Sequence, residues 1–185
     1  MKWTRDRFAI EMFDEPAYSF ASTDNVRAYD KELLLVRRDS VTSTHGLTSF
    51  VDELRAASVV VGTGGGPTGV HERSAVLVDE LCFAAVGSEL VCLTVPTLDV
   101  RWRHEADPAT CFGLYLSPGE EAIVVHGELE ISKLTFDGKR LWSFGGADIF
   151  TGALSIDRGT VVVEDFDGRA YRIELGTGLG RVGSA

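Results

Sequence analysis

The chain has 185 residues, 44% of them hydrophobic, with 28 acidic against 18 basic side chains and a formal net charge of −10. This is the composition of a soluble globular protein, and the length suits one domain, residues 1–185, that buries its core without disulfides or a metal. The acidic balance argues against duplex DNA and anionic lipid as partners, because phosphate binding rests on clustered Lys and Arg. No run approaches the roughly 18–20 apolar residues of a membrane span.

The opening residues, Met1 to Arg7, show neither the apolar core nor the small-residue cleavage site of a signal peptide. Phe8, Ile10 and Met12 alternate, and turn residues follow at Asp14-Glu15-Pro16 and Asp24-Asn25, so strands are expected here. Residues 33–36 fit a first strand and 59–61 a last one. Between them Leu47, Phe50, Val51 and Leu54 fall at i, i+3, i+4 and i+7, which predicts an amphipathic helix over 47–57. Residues 62–69 are glycine-rich and follow a strand, as phosphate loops do. They lack the Gly-Lys-Ser/Thr ending and precede a strand pattern, so a flexible connection is the better reading.

From residue 75 onward the sequence repeats. A shift of 40 residues brings Trp102 onto Trp142, Gly87 onto Gly127, and Val91 onto Ile131 and then Tyr171. The clearest unit has strands at 112–116, 121–126, 129–135 and 140–144, separated by Ser117-Pro118-Gly119, Gly127-Glu128 and Asp137-Gly138. Units at 75–103, 112–144 and 152–182 follow, and in the last a Val stands where Trp would be. Asp167-Gly168 suits a type I′ hairpin turn. The fold class is therefore all-β: repeated four-stranded antiparallel sheets, propeller-like, about four units, incomplete or open, plus the one helix.

The segment Lys133-Leu134-Thr135-Phe136-Asp137-Gly138-Lys139-Arg140-Leu141-Trp142 resembles the repeat of quinoprotein-like (PQQ-like) β-propellers. The resemblance covers roughly residues 75–182 and is partial at Leu98-Asp99-Val100-Arg101-Trp102, which keeps the Trp without the Gly. It implies a propeller blade in which Trp102 and Trp142 pack between neighbouring blades. The vicinal cysteines and calcium ligands that hold the quinone in the dehydrogenases of that family have no counterpart here. The resemblance thus implies a fold and no reaction, and no cofactor is expected.

The candidate chemistry is sparse. Cys82, Cys92 and Cys111 lie in apolar strand-like runs and read as small buried hydrophobes in a reducing, cytoplasmic setting. With a turn at Gly87-Ser88, Cys92 faces Phe83 and Cys82 faces Leu93, which disfavours a disulfide. Asp165, Asp167, Gly168 and Glu174 match calcium-loop positions, but Val163 stands where the first ligand belongs, so a solvated hairpin is preferred. His45, His71, His104 and His126 show no metal spacing. His71-Glu72 and His104-Glu105 form two local base–carboxylate candidates. No G-x-S-x-G is present. The acidic doublets Asp79-Glu80 and Glu120-Glu121 recur at nearly one repeat phase, as solvated strand tips.

No catalytic, cofactor or metal residue is assigned. The expected function is a non-enzymatic module that binds another protein, a basic one, through the loops of one face, with residues 44–69 and the acidic tips carrying recognition. The alternative is a small hydrolase or lyase. Convergence of at least two of His71, His104, His126, Glu164 and Asp165 on one pocket would favour it.

Overall fold

The computed structural model describes residues 1–183; the last two residues of the expected 1–185 domain lie outside them. Four sheets follow one another along the chain. The first comprises β1 (Lys2–Arg5), β2 (Phe8–Asp14), β3 (Lys31–Leu34), β4 (Ser43–Val51) and β5 (Leu54–Thr63), in the order β1-β2-β4-β5-β3. The second holds β6 (Ala75–Val78), β7 (Leu81–Val86), β8 (Glu89–Thr94) and β9 (Val100–Glu105). The third holds β10 (Cys111–Leu116), β11 (Ala122–Gly127), β12 (Glu130–Thr135) and β13 (Arg140–Gly145). The fourth holds β14 (Ser155–Asp157), β15 (Thr160–Glu164), β16 (Ala170–Glu174) and β17 (Gly180–Val182). The last three sheets are simple antiparallel meanders and coincide with the three sequence repeats.

Period-two side-chain alternation makes the stack. In β7, Cys82 and Ala84 face the first sheet while Phe83 and Ala85 face the third. A middle strand buried on both faces reads as an unbroken apolar run, as Leu81–Val86 does. One apolar cluster joins the first and second sheets, another the second and third, and another the third and fourth. Among the described residues no cluster joins the fourth sheet to the first, so the array is open. The outer face of the fourth sheet presents Arg172, Glu174 and Arg181, all exposed.

The tryptophans dock one sheet on the next. Trp102 Nε1 donates to the Phe136 carbonyl at 2.8 Å, and a Cβ on Gly138 would come within 2.8 Å of its indole. Trp142 repeats this one sheet later, donating to the Leu175 carbonyl at 3.0 Å above Gly178. Glycine recurs in this turn because the indole lies flat on it. Between the first and second sheets no Trp takes this position; Trp3, on the edge strand β1, packs against the same apolar cluster and donates to the Glu72 carbonyl at 3.2 Å. Ser49 Oγ donates to the Pro96 carbonyl instead, at 2.5 Å, and Leu98 occupies the glycine position with φ +55° and a buried side chain.

Three expectations need correction. The helix over 47–57 does not form; those residues are the β4–β5 hairpin, with Val51 paired to Leu54. Its two-residue turn is Asp52-Glu53, both left-handed (φ +48° and +68°), a type I′ geometry usually held by Asn-Gly. A register shift at Ser49/Phe50 also breaks the alternation, leaving Phe50 half-buried under Lys2 and Leu54 exposed. The Asp167-Gly168 hairpin is not type I′, since Gly168 alone has positive φ there; the Gly168 N–H closes on the Asp165 carbonyl, a type I turn with a glycine bulge. Residues 33–36 are not the first strand of a unit: β3, Lys31–Leu34, follows β1 and β2 in the chain and lies at the sheet edge, parallel to β5. The pairing of Cys82 with Leu93 and of Phe83 with Cys92 is as expected, and the three thiols are free and buried.

Candidate functional site

The glycine-rich segment after β5 is pinned rather than loose. The Gly66 N–H donates to the Ala109 carbonyl at 2.9 Å, and Thr42 and Ser43 hydroxyls donate to the Gly65 and Gly66 carbonyls. A Cβ on Gly65 would meet the Ala109 carbonyl at 2.4 Å, so only glycine lets the chain cross there.

That crossing assembles a polar cluster on the loop face. His45, fully buried on β4, has Nε2 3.0 Å from Thr68 Oγ1 and Nδ1 3.4 Å from Asp14 Oδ1. Thr68 Oγ1 also accepts the Gly87 N–H at 3.0 Å and lies 3.3 Å from Ser43 Oγ. Burial lowers the His45 pKa; Asp14 opposes that shift and His71 adds to it. The order carboxylate, imidazole, hydroxyl is that of a nucleophile relay. Here the Nδ1 makes no hydrogen bond, and the hydroxyl ties the loop to the second sheet.

Beside it a hollow of about 210 Å³ is lined by Thr68, His71, Thr110, Cys111 and Phe112. His71 Nδ1 accepts the Arg73 N–H at 3.2 Å, and the Glu72 carboxylate lies 3.8 Å from the Arg73 guanidinium. Burial pushes the Cys111 thiol up to about 12, which leaves it unreactive at neutral pH.

The other candidates stand apart. His126 packs edge-on against Phe112, ring centroids 5.6 Å apart, on β11. His104 accepts from Arg140 Nη2 at 2.8 Å on the outer edges of the second and third sheets. Asp165 is buried and accepts the Tyr171 hydroxyl and the Arg169 N–H, both at 2.8 Å, while Glu164 is exposed on β15. Thus His71 alone of the five test residues lines the hollow. Among the described residues no three His, Cys, Asp or Glu side chains gather in a way that could hold a metal.

His126 carries a pH prediction. Its Nε2 is buried without a partner, and burial pushes its pKa down to about 4, against an opposing pull from Asp107. Between the ordinary value of 6.5 and about 4 the unfolded chain takes a proton that the folded chain refuses. Stability present above that window should therefore fall through it, by about 3 kcal/mol in all. Urea melts from pH 7 downward should show this slope, and His126→Leu should flatten it.

Two buried charges had escaped the sequence reading. Asp107 accepts four backbone N–H groups: Ala109 at 2.7 Å, Thr110 at 3.0 Å, Leu129 at 2.8 Å and Glu130 at 2.9 Å. Its one legible signal is Asp-Pro, a turn opener. Lys133, 1% exposed, binds Glu120 and donates to the Leu175 carbonyl at 3.0 Å. Both act between elements of the array and neither faces an open pocket.

No protein-family model matches the sequence, and no curated protein does. Solved structures do resemble the fold. The computationally designed Ika8 protein aligns over 98% of this chain and 60% of its own, at 14% identity and TM-score 0.55. The computationally designed Ika4 protein aligns over 63% of this chain and 76% of its own, at 14% identity and TM-score 0.52. BamB from Moraxella catarrhalis, a β-propeller, aligns over 84% of this chain at 13% identity and TM-score 0.54, and the chain spans about half (53%) of its length. At such identities the likeness is one of fold, and the fold is an all-β, propeller-like array of four-stranded antiparallel sheets that does not close.

Proposed function

We propose that this chain is a non-enzymatic protein-binding module built on a PQQ-like blade repeat, acting in the cytoplasm on a basic partner. The observation that carries this reading is where the free charge lies. On the loop face His45, Thr68, Asp107 and Asp165 are committed to holding loops and turns together. On the opposite face the exposed carboxylates of Asp79, Glu80 and Glu121 gather at two neighbouring turns and make no ion pair or side-chain hydrogen bond among the described residues. The unpaired exposed carboxylates at the loop-face end, Glu105 and Glu164, stand singly on different sheets. Unpaired carboxylates steer a basic partner and make its on-rate salt-sensitive. Three free, buried thiols suit a reducing compartment.

The alternative, a small hydrolase, draws on the Asp14–His45–Thr68 alignment. A broad screen of ester, phosphoester, glycoside and peptide substrates separates the two. The binding reading expects no turnover. Turnover lost in His45→Gln and Thr68→Val, with unchanged melting, would overturn it.

A further inference from the structure

We infer that the groove between the second and third sheets, on the face of the β6–β7 and β10–β11 turns, is a docking site for a protein segment with one large apolar side chain flanked by Lys or Arg. The inference rests on the binding reading above and supplies its surface and ligand chemistry. Val78, Leu116 and Phe136 form an apolar floor in a hollow of about 490 Å³, and Leu116 is 48% exposed. This volume takes a short chain segment rather than a single ion. The floor is rigid. Phe136 packs on Phe83 with ring centroids 5.2 Å apart, and its carbonyl is held by Trp102. A preorganised pocket loses little entropy when an anchor enters.

The rim is acidic on both sides. Asp79 comes from the second sheet, Glu120 and Glu121 from the third. Lys133 is buried and already bonded to Glu120, and Arg101, beside Phe136, is paired with Asp137. Generic protection of sheet edges would put like charges at every such turn, and it does not. The corresponding turn is Arg5-Asp6-Arg7 in the first sheet and Asp157-Arg158-Gly159 in the fourth. At this turn an acidic doublet occurs only in the two sheets that flank the groove; the first sheet has one elsewhere, Asp52-Glu53 in the β4–β5 turn, where Asp52 is paired with Arg7. An apolar floor with an unpaired carboxylate on either side, Asp79 and Glu121, complements an apolar anchor between cationic side chains: the anchor slows dissociation and the charges speed encounter.

The test uses fluorescence anisotropy with a labelled peptide of Lys and Arg around a central Leu, and two controls with Ser for Leu or Glu for the basic residues. Wild-type protein should bind the first peptide and lose about tenfold with the Ser control, the usual loss of a buried anchor. It should not bind the Glu control. Leu116→Ser and Glu121→Lys should each weaken binding about tenfold, Glu121→Lys should also flatten the salt dependence, and Glu174→Lys on the fourth sheet should change nothing. Half-exposed Leu116 tolerates substitution, and Glu121→Gln gives a milder variant should the reversal disturb folding. Equal binding by wild type and the groove variants, or binding indifferent to the central Leu, overturns the groove. If no basic peptide binds but a cellular partner is retained by both wild type and Leu116→Ser, the groove falls and the module reading stands.

Discussion

Trp142→Ala should destabilise the protein by about 3–5 kcal/mol, the cost of removing a large buried aromatic. The side chain is 8% exposed and sits in the cluster that joins the third and fourth sheets. Truncation empties the space above Gly178 and removes the indole N–H from the Leu175 carbonyl, leaving that oxygen to Lys133 alone. Trp142 is part of the one cluster that holds the fourth sheet, so hydrogen exchange should show β14–β17 opening first. Trp102→Ala should cost less, because Trp102 is only partly buried. A loss for Trp142→Ala under about 1 kcal/mol in urea melts would mean the indole does not join the sheets.

Asp107→Ala should cost nearly as much, about 3 kcal/mol, through a different term. The carboxylate is 1% exposed and gathers four N–H donors from the 105–111 connection and the β11–β12 turn. Without it those donors lose their acceptor in a site with little water, and leaving a buried donor unmet costs about 1–3 kcal/mol each before relaxation. Asp107→Asn should recover part of the loss, since one amide oxygen still serves one pair of donors while the amide NH₂ opposes the other. Calorimetry on the two variants checks the order: Ala below Asn below wild type. Equal stability of Asn and wild type would contradict the four-donor account.

The repeat could be read from the sequence because its marks are physical necessities of docking. An indole large enough to bridge two sheets needs a bare glycine beneath it, so Trp and Gly recur together at 102/138 and 142/178. The first sheet lacks both marks at the repeat position, and its one indole, Trp3, lies on the edge strand β1. Its contact uses Ser49 and Leu98, its outer hairpin turns on Asp52-Glu53 without glycine, and residues 15–42 interrupt the order of strands. Periodicity at 47–54 then pointed to a helix that cross-strand pairing overrides. The loop-face cluster was illegible for another reason. Asp14, His45 and Thr68 are brought together by strand pairing and by a glycine crossing, and no spacing along the chain records either. The acidic doublets were visible, while the groove between them was not, since it depends on which sheets are neighbours.

The most direct measurement is photo-cross-linking in the source cell, with a photoreactive phenylalanine analogue at position 116 in one variant and at 166 in another. Both positions are exposed, one on the groove face and one at a loop-face hairpin tip. The account predicts a discrete protein adduct from position 116, lost when Glu121 is also changed to Lys, and none from position 166. An adduct from 166 alone, or one from 116 that persists with Glu121→Lys, would contradict it.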